Sequence, residues 1–119
     1  RAERTTMPGM RTVVVSTTLR QADYPEVTII GRNVEQAVQA LREGARKDVW
    51  LFGGAELFGR LLAAGLVDGV EVAIEPILLG DGVSLLPITP GRQVLRLIGH
   101  RVSGVGVVHL EYAVGNSAA

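Results

Sequence analysis

Apolar and β-branched residues fall in short runs along this chain, separated by glycine, proline and charged positions. Runs at 12–16 and 27–30 read as buried strands, the second closed by Gly31. Between them, 19–26 is polar, holds Pro25 and reads as a loop. Asn33 stands where a helix N-cap is expected. Val34, Ala37, Val38 and Leu41 follow at helical spacing, with Gly44 as the stop. A third strand-like run, 49–52, meets Gly53 and Gly54. Leu57, Phe58, Leu61 and Leu62 then give a helical apolar stripe ended by Gly65. Residues 70–74 read as a fourth strand. A loop rich in glycine and proline spans 75–90, and segments 94–100 and 105–114 read as a closing antiparallel hairpin. Residues 1–11 read as an irregular lead-in, and 115–119 as a frayed tail.

The order of elements is strand, strand, helix, strand, helix, strand, strand, strand. It predicts a single α/β domain: a mostly parallel sheet flanked by helices, with an antiparallel finish. With 119 residues, 47% of them hydrophobic, the chain is long enough to bury a core. Its 12 basic residues balance 12 acidic ones, which argues against a nucleic-acid or anionic-membrane partner. There is no cysteine, so disulfides, thiolate catalysis and cysteine-based metal sites are excluded. No apolar run reaches the ~18 residues of a membrane span. No secretory pattern opens the chain, and a cytoplasmic protein is expected. Arg1 stands in a polar context and reads as the start of an internal piece or a processed product.

The junction at Gly53-Gly54 carries the most chemistry. A strand that turns through two glycines into a helix presents bare backbone N–H groups at a helix N-terminus, where anions bind well. The same pair also serves as a tight turn with no ligand, because glycine permits positive φ. Glu56, in the first helical turn, suits the macrodipole but would repel a phosphate it faced. Ser16, Thr17 and Thr18 follow the first strand. Their hydroxyls could meet ribose or phosphate oxygens, or simply close the turn. Arg32, after the second strand, could pair with a phosphate or lie in solvent. Asp68 reads as a turn residue, and Glu71 and Glu75 as positions facing water or a partner chain. His100 and His109 stand far apart with no carboxylate to complete a metal set, so no metal is expected.

Three segments resemble the dihydrofolate-reductase-like superfamily. They are Val49-Trp50-Leu51-Phe52-Gly53-Gly54-Ala55-Glu56-Leu57, Leu61-Leu62-Ala63-Ala64-Gly65-Leu66-Val67-Asp68, and Pro76-Ile77-Leu78-Leu79-Gly80-Asp81-Gly82. Val13-Val14-Val15-Ser16 and the closing 106–112 strand extend the match. The branch they resemble is the riboflavin-biosynthesis reductase C-terminal domain.

That resemblance implies a reductase that moves a hydride from NADPH, with NADH not excluded, to a small pteridine-like or riboflavin-precursor-like heterocycle. It implies that Gly53, Gly54, Ala55, Glu56 and Leu57 receive the cofactor pyrophosphate, and that the Gly53–Gly54 peptide is cis. It places Ser16, Thr17 and Thr18 near the adenosine ribose and its 2′-phosphate. Thr17 stands where many relatives carry arginine, and Arg32 is the residue that could replace it. Relatives of full length begin with a central strand, a second strand and a helix, which nothing before Arg1 supplies. The strands at 49 and 70 are therefore expected to present open edges. No catalytic residue is identified. The alternative is a nucleotide-binding or dimerisation remnant without turnover. A homodimer is expected, through apolar strands such as 70–74.

Overall fold

The computed structural model describes residues 8–87 and 91–115. Most of the expected lead-in, the expected tail beyond Gly115 and the end of the 75–90 loop lie outside them. The chain divides into two compact units, Arg1–Val49 and Trp50–Ala119.

In the first unit, β1 (Val13–Val15) and β2 (Thr28–Ile30) pair in parallel, with Val13 opposite Thr28 and Val15 opposite Ile30. Flanking bonds continue the ladder: Thr28 N–H donates to the Thr12 carbonyl at 3.1 Å, and Ser16 N–H to that of Ile30 at 3.0 Å. The intervening Ile29 N–H faces the opposite side, and a side chain satisfies it. Gln21 Oε1 accepts from it at 3.0 Å, while Gln21 Nε2 donates to the carbonyls of Val27 at 2.7 Å and Tyr24 at 3.0 Å. One amide thus stands in for a neighbouring strand at the outer edge of β2. Gln21 opens a 3-10 turn, Gln21–Asp23, inside the segment read as plain loop.

Helix α1 (Val34–Gly44) follows the expected stripe and buries Val34 and Val38, one turn apart. Asn33 occupies the N-cap position, but its side chain makes no capping bond. Its φ of 51° places it in the left-handed region that asparagine tolerates. Its role is to turn the chain rather than to cap it.

Residues 49–52, the last three of which open the second unit, form no strand. The expectation of a buried third strand fails because a strand exists through its ladder. Among the described residues no segment pairs with this one. Trp50 is 63% exposed and Phe52 74%, and their rings lean together with centroids 5.9 Å apart. Helix α2 (Ala55–Ala63) buries Leu61 and Leu62. It ends as a Schellman motif: Leu66 N–H donates to the Leu61 carbonyl at 2.9 Å and Gly65 N–H to that of Leu62 at 3.1 Å, with Gly65 at φ +74°. Gly59, on the buried side of α2, lies so close to Pro87 that a Cβ there would sit 2.9 Å from the ring. This contact fixes the end of the 75–87 loop on the helix.

The remaining strands are β3 (Gly69–Ile74), β4 (Leu95–Val102) and β5 (Val108–Val114), in the order β3-β5-β4, antiparallel throughout. The expected hairpin is present as β4–β5. The expected mostly parallel sheet is seen in part: among the described residues β1–β2 is the parallel pair, and β3 takes β5 as an antiparallel partner. Among the described residues the far side of β3 carries no strand. Among the described residues no helix is long and apolar enough to cross a membrane.

Replacing Gln21 with alanine leaves the Ile29 N–H and the Val27 carbonyl without their partner. The expected loss is about 1–2 kcal/mol of unfolding free energy. Urea denaturation measures it, and faster amide exchange at Ile29 locates it.

Candidate functional site

The residues singled out for chemistry lie at two turns, one in each unit. In the first unit, the parallel register that sets Val15 against Ile30 carries the chain on so that Ser16 and Gly31 leave the sheet side by side. A Cβ on Gly31 would stand 3.5 Å from the Ser16 carbonyl oxygen. Parallel strands end at the same edge, so Ser16, Thr17, Thr18 and Arg32 gather at the carboxyl end of β1 and β2. Ligands of open α/β sheets are commonly received at such ends.

Ser16 is already engaged there. Its Oγ accepts from the N–H of Thr18 at 3.2 Å and of Leu19 at 3.0 Å, and lies 3.4 Å from Thr18 Oγ1. This is a hydroxyl turn, the structural reading of that serine. Thr17 and Arg32 are exposed and, among the described residues, make no hydrogen bond or ion pair. They are the members of the group that remain open to a ligand, one a hydroxyl and one a guanidinium with a planar donor fork.

In the second unit, the Gly53–Gly54 peptide is cis, as the resemblance implies. Gly53 has φ +128°, in the region that favours glycine. Gly54 is extended, with φ −86°, and forms the N-cap of α2. Its carbonyl accepts the first helical bond, from Phe58 N–H at 2.9 Å. No side chain caps this end, so the amides of Ala55, Glu56 and Leu57 enter the helix without an acceptor among the described residues. Three donors and the positive end of the helix dipole thus converge on one spot.

The space before them is empty. A Cβ on Gly53 or on Gly54 would meet nothing within 4 Å. The glycines therefore make room for a group outside the turn, not for a neighbouring side chain. Glu56 is exposed at the first turn.

The model of the RibD C-terminal domain family matches residues 3–109. The uncharacterised protein YyaP of Bacillus subtilis (strain 168) is 33% identical over 99 residues, which are 83% of this chain and 52% of YyaP. The crystal structure of a candidate riboflavin biosynthesis protein from Shewanella sp. PV-4 superposes with a TM-score of 0.75 at 22% identity, over 92% of this chain and 64% of that one. A pyrimidine reductase-like protein from Corynebacterium diphtheriae superposes with a TM-score of 0.64 at 19% identity, over 88% of this chain and 50% of its own. The chain spans about half the length of the curated relatives it matches. The two structures share its α/β fold.

The two glycines should respond differently to a methyl group. Gly53→Ala is expected to lose about 1–3 kcal/mol of stability, because φ of +128° is strained for any L-residue. Gly54→Ala is expected to stay within about 0.5 kcal/mol of the parent, since its φ is ordinary and its Cβ meets nothing. Chemical denaturation of the two variants side by side checks this.

Proposed function

This chain belongs to the RibD C-terminal domain family, and on that premise we propose that it is an NAD(P)H-dependent reductase domain acting on a small pteridine-like or riboflavin-precursor-like heterocycle. The observation that carries the reading is the uncapped N-terminus of α2, opened by Gly53 and Gly54 onto empty space. The amides of Ala55, Glu56 and Leu57 bind a pyrophosphate there, with no side chain in the way. The bound nicotinamide supplies the hydride; the protein supplies position and charge. In the first unit Thr17 offers a hydroxyl and Arg32 a guanidinium, with Arg32 as the cation for a 2′-phosphate. That position needs a cation because Thr17 itself is a neutral hydroxyl.

A reductase-like neighbour and one assigned to riboflavin biosynthesis support this reading at the level of the fold. A second reading is nucleotide binding without turnover. Protein that binds NADPH yet leaves it unoxidised when offered pteridine and pyrimidine substrates would establish the second reading over the first.

Two measurements test cofactor binding. Gly54→Ala keeps its stability but sets a methyl where the pyrophosphate lies, so calorimetry is expected to show NADPH affinity reduced roughly tenfold or more. An unchanged affinity removes the turn from the site. Arg32→Ala is expected to weaken NADPH by roughly tenfold and NADH by little, because only NADPH carries the 2′-phosphate. Equal losses for both cofactors count against an Arg32 clamp.

A further inference from the structure

Trp50, the single tryptophan of the chain, and Phe52 both stand mostly in solvent, and Leu51 between them is exposed as well. Aromatic side chains contribute most when they are covered, so two of them exposed side by side mark a surface that receives something. The pair is a unit. Alternate residues of an extended segment face the same side, and the two rings lean together at 5.9 Å between centroids with their planes 42° apart.

The patch adjoins the turn at Gly53 and Gly54. Phe52 is joined directly to Gly53, and the rings and helix α2 belong to the same compact unit. Three peptide links, one of them cis, separate Phe52 from Ala55, so their Cα atoms lie within about 10 Å. A nucleotide has the reach for that spacing, because a ribose separates its base from its phosphate. The amides of Ala55, Glu56 and Leu57 recognise a phosphate alone. Selection of a base needs another surface, and the aromatic pair is next to them.

We infer that Trp50 and Phe52 form the stacking platform for the base of a nucleotide whose phosphate lies at the N-terminus of α2. The inference rests on the phosphate reading of that turn given above. Ring geometry decides how the base lies. A flat ring held between two others needs about 7 Å between their centroids, two van der Waals contacts, and 5.9 Å is too close. The base therefore covers the outer surface of the pair. Every heteroaromatic base has a face that stacks in this way. The electron-rich indole also attracts a cationic ring, which favours the pyridinium of oxidised nicotinamide over adenine.

Calorimetry on the full chain, together with the emission of Trp50, tests the platform. The probes are oxidised nicotinamide mononucleotide, AMP and inorganic pyrophosphate. Trp50→Ala and Phe52→Ala are each expected to lower mononucleotide affinity roughly tenfold and to leave pyrophosphate affinity unchanged. Trp50→Phe and Phe52→Tyr keep a ring and are expected to retain most of the affinity. Nicotinamide mononucleotide is expected to quench Trp50 emission, and pyrophosphate is not. The mononucleotide that binds more tightly identifies which base of a dinucleotide the platform holds.

Mononucleotide affinity that survives both alanine substitutions overturns the proposal. So do alanine variants that lose pyrophosphate to the same extent, because the rings then act on the turn and not on the base. An emission already that of a buried indole in the ligand-free chain overturns it too, since a protein segment then covers the rings. Pyrophosphate keeps the two readings apart. If the wild type binds it while the rings prove indifferent, the platform alone falls. If the wild type does not bind it, the phosphate reading falls on its own evidence.

Discussion

Backbone N–H and C=O groups must be satisfied, and this constraint decides most of what the chain does. Where a partner strand exists, β-branched runs become β1, β2, β3, β4 and β5. Where it does not, the apolar run 49–52 stays out of any ladder and leaves Trp50 and Phe52 exposed. At the outer edge of β2 a side chain meets the requirement, because Gln21 lends its amide to Val27 and Ile29. At the end of α2 the Schellman bonds through Gly65 meet it. At the start of α2 nothing within the described chain meets it, and that unmet requirement is the candidate site.

Local features were legible in the amino-acid sequence, and pairings between distant segments were not. The stripe Val34, Ala37, Val38 and Leu41 marks α1, and Gly65 marks the stop of α2, because both depend on residues within one or two turns. The run 49–52 has the composition of a strand, but composition does not say whether a neighbour is present. The same limit applies to β3. Its residues alternate as a strand should, yet nothing local reveals that its partner is the antiparallel β5, and so the parallel part of the sheet is smaller than expected. The sequence position of Asn33 fits a capping side chain, whereas its left-handed backbone is what the turn uses. Gln21 carried no signal, because a bond from a side chain to a backbone eight residues away has no sequence pattern of its own.

The candidate residues divide in a similar way. Ser16 fell to the turn it was suspected of closing, as its Oγ is taken by the amides of Thr18 and Leu19. Thr17 and Arg32 share the carboxyl end of the parallel pair and remain open, a grouping that follows only once β1 and β2 are known to be parallel and in register. At Gly53 and Gly54 the sequence left a tight turn and a ligand cradle as equal readings. A Cβ on either glycine would meet nothing within 4 Å, so no neighbouring side chain accounts for the pair.

The central claim is that the first amides of α2 hold a pyrophosphate. Titration of the isotope-labelled chain with NADPH, followed through its backbone amide NMR signals, tests it most directly. The account predicts that the signals of Ala55, Glu56 and Leu57 move and saturate together, since those are the donors without acceptors. NADPH binding that leaves these three amides unmoved, or no binding at all, would contradict it.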